Sequence, residues 1–170
     1  MVENKTHILI KKLLRESLTP TLRLPKEVDS LTDEIKEKIK SIQKNDINII
    51  QVGDDGKNIA HLKIDVNNLP ELSKLIVVDI QIINEELYQP HITLAKEIRG
   101  LGLASKIYIR IIEEFGHLYS GKGRVMNPMI HKVWDKVANE PHITCKNIST
   151  GKICLLNSNK ELLTQFFDWR

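Results

Sequence analysis

Arg99-Gly100-Leu101-Gly102-Leu103-Ala104-Ser105 places a fixed cation and two glycines immediately ahead of a helical run. Downstream, Leu103, Ile107, Ile111, Ile112 and Phe115 recur at helical spacing, and upstream Pro90-His91-Ile92-Thr93-Leu94-Ala95 reads as extended chain. Bare backbone at the start of a helix presents unpaired N–H groups to an anion, with the helix dipole behind them. A phosphate-bearing ligand suits this chemistry, and a plain tight turn shaped by Gly100 and Gly102 is the alternative. Two phosphate motifs are excluded. A Walker loop needs Lys then Ser or Thr after its last glycine, where this chain has Leu103 and Ala104. A dinucleotide fingerprint needs a third small residue and an acid about 20 residues on. Glu113 and Glu114 come too early and lie on the helix itself.

Arg99-x-x-Gly102-x-Ala104 resembles the (Gln/Arg)-x-x-Gly-x-(Gly/Ala) signature of the GNAT superfamily of N-acetyltransferases, which cradles the pyrophosphate of acetyl-CoA. The preceding Leu94-Ala95-Lys96-Glu97-Ile98 is similar to the family's strand and short acidic turn. A second likeness lies at Asn127-Pro128-Met129-Ile130-His131-Lys132-Val133-Trp134, similar to the Asn-x-x-Ala-x-x-x-Tyr helix on the other side of the family's cofactor cleft. Together they cover residues 47–157. The resemblance implies an α/β (α+β) fold with a mixed, mostly antiparallel sheet flanked by helices and splayed in a V for the cofactor. It implies acetyl transfer from acetyl-CoA to an amine, on a small molecule or a protein. Backbone of Thr93, Leu94 and Ala95 would hold the pantetheine arm, Arg99, Gly100, Leu101, Gly102, Leu103, Ala104 and Ser105 the pyrophosphate, and Asn127 the arm near the acetyl end. The family allows a homodimer. Phe115-Gly116-His117-Leu118-Tyr119-Ser120 resembles divergent phage-encoded members, which would place the protein in a host cytoplasm.

Acetyl transfer needs a neutral amine and an acid for the departing thiolate. The position that often carries the family's tyrosine acid holds Trp134, and an indole has no proton to give at useful cost. Tyr119 or Ser120 at the end of the predicted fifth strand, or solvent, is the candidate replacement acid, with plain packing as the other reading of Tyr119. Asp79 is the candidate base because it interrupts the apolar run Leu75-Ile76-Val77-Val78-Asp79-Ile80. A solvent-facing position in an alternating strand is the bland account of it. Glu97 reads as structural, and His91 and His131 as ordinary histidines, although His91 opens a strand that could reach the cleft. The gap at Trp134 supports a second function class, a non-catalytic binding or assembly protein that keeps the fold.

Positioning these groups requires a definite order of elements. A helix is predicted over residues 29–43, capped by Ser30 or Thr32, with Leu31, Ile35, Ile39 and Ile42 inward. Strands at 47–52 and 59–66 flank Gly53-Asp54-Asp55-Gly56, a hairpin signal. Further strands are expected at 75–83, 91–95 and 117–120, then the Asn127 helix, then a hairpin of 143–147 with 152–156. Residues 7–18, with Ile8, Ile10, Leu13 and Leu14, form another short element, and Leu162, Phe166, Phe167 and Trp169 an apolar tail. One domain over residues 1–170 is expected: an N-terminal segment and helix (1–45), the core (47–157) and the tail (158–170).

Bulk properties narrow the class. A hydrophobic fraction of 41% and a charged fraction of 28% are those of a globular chain. Net charge +3 comes from 25 basic and 22 acidic residues mixed along the sequence, with 5% aromatics that never alternate with bases, so no nucleic-acid signal arises. Ile8-Leu9-Ile10 is cut short by Lys11 and Lys12, and no apolar run has membrane-spanning length, which implies a cytoplasmic protein. Cys145 and Cys154 can face each other across the last hairpin, but a reducing compartment favours free thiols, and two cysteines without paired histidines make no metal site.

Overall fold

The computed structural model describes residues 25, 30–54, 56, 58–121, 128–148, 151–159 and 161. Asn127, the 7–18 segment and the tail with Leu162, Phe166, Phe167 and Trp169 lie outside them. Helix α1 (Asp33–Ser41) is shorter than the periodicity predicts. Thr32 sets its start by accepting the Ile35 N–H at 3.3 Å. Of its expected inward set, Ile39 and the following Ile42 are buried, and Leu31 and Ile35 pack at the margin.

Four strands follow as an antiparallel meander, β1 (Ile47–Asp54), β2 (Ile59–Val66), β3 (Ile76–Ile83) and β4 (Leu87–Leu94), paired in chain order. Side chains alternate between two faces. Ala60, Leu62, Ile64 and Val66 of β2 and Ile76, Val78, Ile80 and Ile82 of β3 point into the core. His61, Lys63, Asp79, Gln81 and His91 lie on the opposite face. Strand β4 begins four residues before the predicted 91–95. Its hairpin with β3 turns through Asn84 (φ 51°) and Glu85 (φ 64°), a type I′ geometry closed by the Glu86 N–H on the Ile83 carbonyl at 3.1 Å.

Helix α2 (Leu103–Phe115) buries Leu103, Ile107, Ile111, Ile112 and Phe115 against the core face, as the stripe predicts, and stops at left-handed Gly116. Strand β5 (His117–Tyr119) follows, then α3 (Pro128–Ala138), β6 (Ile143–Ile148) and β7 (Gly151–Leu156). The second antiparallel ladder has the order β5-β7-β6. Among the described residues the fold is thus α+β, with a four-stranded and a three-stranded antiparallel ladder and three helices, in place of the single mixed sheet expected. One hydrophobic cluster runs from Ile39 through both ladders to Cys154. Leu87, Tyr119, Ile153 and Leu155 form a smaller cluster.

One sequence expectation is corrected here. Cys145 and Cys154 are not free thiols: they are direct partners in the β6–β7 register and are joined by a disulfide. Opposite residues of an antiparallel pair bring their Cβ atoms close enough for that bond.

Candidate functional site

A cleft of about 750 Å³ opens where β4 meets the start of α2. Pro90, His91, Ile92, Thr93 and Leu94 line one wall, Arg99 with the Gly100–Ser105 turn and Tyr108 the end, and Met129, Ile130, Lys132, Val133 and Lys136 of α3 the other wall. Strand β4 is the edge of its ladder, and β5 belongs to the other. The Ala95 N–H donates to the Leu75 carbonyl at 2.8 Å, which fixes the ladder's phase. In an antiparallel pair successive residues turn their backbone groups alternately toward and away from the partner. Thr93 and His91 therefore face β3 through their backbone, whereas Leu94, Ile92 and Pro90 face outward. Proline brings no N–H to that outer edge.

The loop after β4 makes one short turn (Lys96–Ile98) before α2. Arg99 Nε donates to the Leu94 carbonyl at 2.9 Å, tying loop to strand while the exposed guanidinium borders the cleft. Gly100 (φ 77°) and Gly102 (φ 83°) are left-handed, and a Cβ on either would meet no atom within 4 Å. Glycine is required here by backbone conformation, and the space above it stays open for a ligand. Gly102 caps α2 without any side-chain hydrogen bond, so the first-turn N–H groups are left to whatever occupies the cleft. Ser105 turns its hydroxyl to the Gly102 carbonyl at 3.2 Å. Arg99, Lys132 and Lys136 have no carboxylate partner among the described residues. Burial lowers the Lys106 ammonium from its usual range, and repulsion from Lys136 lowers it further. Positive charge is crowded on this side of the cleft.

Of the residues singled out from sequence, Thr93, Leu94, Arg99, Gly100, Gly102, Leu103, Ala104 and Ser105 line the cleft together. Leu101 and Ala95 lie beside it without lining it, and the Ala95 N–H is engaged by Leu75. Asp79 and Tyr119 do not line it. Asp79 sits on the outer sheet face, its Oδ1 2.7 Å from His61 Nδ1, and Tyr119 is buried in the smaller cluster. His131 is exposed on α3 outside the lining.

Sequence reasoning passed over Tyr108. Its ring lies edge-on to Trp134 at 5.2 Å, and burial pushes its hydroxyl up to about 12. The phenol therefore stays protonated and able to donate. The signal was present: Tyr108 falls less than two turns into α2 after Gly102, at a point where the helix still borders the ligand loop. Among the described residues no helix is long and apolar enough to cross a membrane, and no group of three or more His, Cys, Asp or Glu side chains is arranged to hold a metal ion. No protein-family model, curated protein or solved structure matches the chain.

Proposed function

We propose that the chain is an acetyltransferase of the GNAT type, which takes acetyl-CoA into the β4–α2–α3 cleft and passes the acetyl group to an amine. The observation that carries this reading is the junction itself: an outward-facing strand edge leads directly into an uncapped helix N-terminus roofed by two left-handed glycines. The outward backbone of Ile92 and Leu94 suits an arm that pairs like an added strand. The 99–105 loop suits a pyrophosphate, and Arg99, Lys132 and Lys136 suit a polyanion. A cleft of about 750 Å³ has the size of an elongated ligand site. Acetyl-CoA supplies an activated thioester, and the chain supplies backbone donors to orient its carbonyl and Tyr108 as a proton donor bordering the cleft.

Acetyl-CoA at a hundred times its Kd should stabilise the protein by about 2.7 kcal/mol, read as a rise in Tm. Gly102→Asp should abolish that rise, because it sets a carboxylate in the anion site and a side chain at positive φ. An unchanged Tm for the native chain at millimolar acetyl-CoA overturns the reading.

One observation favours the second reading, a binding protein without turnover. Trp134 is buried and packed on Tyr108, so the place of the family's acid is given to packing. A Tm rise without release of free thiol in the presence of any amine supports that reading over transfer.

A further inference from the structure

We infer that His91 is the base that takes a proton from the acceptor amine, with Gln81 as its positioning residue, an inference that rests on the acetyl-CoA reading of the cleft. The register aligns His61 of β2, Asp79 of β3 and His91 of β4 in one row across three adjacent strands, on the sheet face away from the core. His61 Nδ1 and Asp79 Oδ1 are 2.7 Å apart, and their side chains are only 16% and 24% exposed. His91 is exposed, and it alone of the row also lines the cleft. The row therefore leads from a covered His–Asp pair to the cleft wall beside Thr93.

The hydrogen bonding gives His91 a direction. Its Nε2 lies 3.2 Å from Gln81 Oε1, and an amide oxygen only accepts. In the neutral ring the proton therefore sits on Nε2, and Nδ1 carries the lone pair. The groups around this imidazole are Asp79 and Gln81 from β3, His61 beyond Asp79, and Arg99, Lys132 and Lys136, which share the cleft. Arg99 stands at the end of the cleft and Lys132 and Lys136 on its α3 wall, whereas His91 belongs to the β4 wall. Asp79 is the carboxylate directly opposite His91, so a cationic acceptor is drawn to this face of the strand.

A primary amine reaches neutral water as an ammonium ion without a lone pair to attack with. One of its protons passes to His91 Nδ1. The freed lone pair forms the C–N bond to the acetyl carbonyl carbon, and the C–S bond breaks with its electron pair going to sulfur. The proton then shed by nitrogen goes to that sulfur as free thiol, and His91 returns its own proton to water. The acceptor class is thus an amine protonated at neutral pH.

The test compares two nucleophiles at pH 7 with the full chain and acetyl-CoA, following thiol release. Nα-acetyl-lysine amide is protonated and needs the base, whereas methoxyamine is already neutral and does not. His91→Gln should lower kcat/KM for Nα-acetyl-lysine amide by about a hundredfold or more, and for methoxyamine by less than about threefold. Gln81→Leu, which removes the acceptor that holds the His91 Nε2 proton, should show the same split at smaller size. The Tm rise with acetyl-CoA should persist in both variants. Equal losses for the two nucleophiles, or no loss, overturn the role of His91. A native chain that gains Tm with acetyl-CoA yet acetylates neither nucleophile overturns it too, leaving a binding site. A native chain without any Tm rise overturns the acetyl-CoA reading itself.

Discussion

Glu113 shows how one side chain fastens the helix behind the cleft. Arg110 Nη1 donates to it at 2.6 Å, His142 Nε2 lies 2.8 Å away and Lys44 Nζ 3.4 Å away, while Arg110 Nε reaches the Ile47 carbonyl at 3.0 Å. The node ties α2 to the start of β1 and to the turn ahead of β6. Burial pushes the Glu113 carboxyl up, but the hydrogen bonds from Arg110, His142 and Lys44 outweigh it and hold the group below its ordinary 4.5. A carboxyl depressed in the folded state contributes stability that is complete above its unfolded value and is lost as pH falls through its folded one. Tm should therefore decline below about pH 4.5, as the carboxylate takes up its proton. Glu113→Gln should cost about 1–3 kcal/mol at pH 7, because it leaves the half-buried Arg110 guanidinium without its carboxylate, while Lys44 and His142 keep Glu140. It should also flatten the acid decline. Thermal melts of both proteins between about pH 3 and 7 check this, and parallel curves would sink the assignment.

Among the elements, the β6–β7 hairpin is the one cross-linked through its ladder. Its disulfide joins cysteines 9 positions apart in sequence, a loop short enough that the expected contribution is about 2–3 kcal/mol. Cys145→Ser should lower Tm accordingly, and reductant should lower the native chain to the same point without moving the variant. A native Tm indifferent to reductant would contradict the bond. The register of this hairpin was legible from alternation and Gly151, but the oxidation state was not, because it depends on surroundings that residue spacing does not encode. The β3–β4 hairpin was harder for a different reason. Asn84 and Glu85 adopt left-handed backbone without a glycine to announce it, and Pro90 counts against a strand wherever its missing N–H would be needed. Here it is not needed, since Pro90 faces outward from β3. By contrast β2 falls on its predicted residues, and β5, between Gly116 and Gly121, ends one residue short of the predicted 117–120.

For the whole molecule, one apolar cluster joins two ladders that do not form a continuous sheet. Packing through Leu118, Phe115 and Tyr88 holds the halves side by side, while Tyr88 stacks on His117 at 4.5 Å and His117 Nε2 lies 2.9 Å from the Glu86 carbonyl. The halves are thus coupled near the beginning of β4, and the cleft is lined by its later residues. No sequence pattern states where two ladders part, since each strand satisfies its own alternation; the Arg99–Ser105 loop and the helix of the facing wall were legible, but the break between the ladders was not. Tyr108 was missed for the same reason: in sequence it is one more residue of an amphipathic helix. Asp79 was noticed as an oddity in an apolar run, but its two histidine neighbours come from other strands.

The open edge of β4 has a cost in colloidal behaviour. The outward N–H groups of Ile92 and Leu94 and the Ile92 C=O form a short template for any extended chain, including another copy of this one, while the Leu94 C=O is already held by Arg99. Pro90 and the cationic rim guard only its ends. The empty protein should therefore scatter light on warming well before its Tm, and a ligand lying along that edge should delay the scattering more than it raises the Tm. Heating with and without CoA while following turbidity and unfolding together separates the two effects; coincident shifts would mean that the strand edge is already covered. In a cell, occupancy of the cleft would then govern how long the chain stays dispersed.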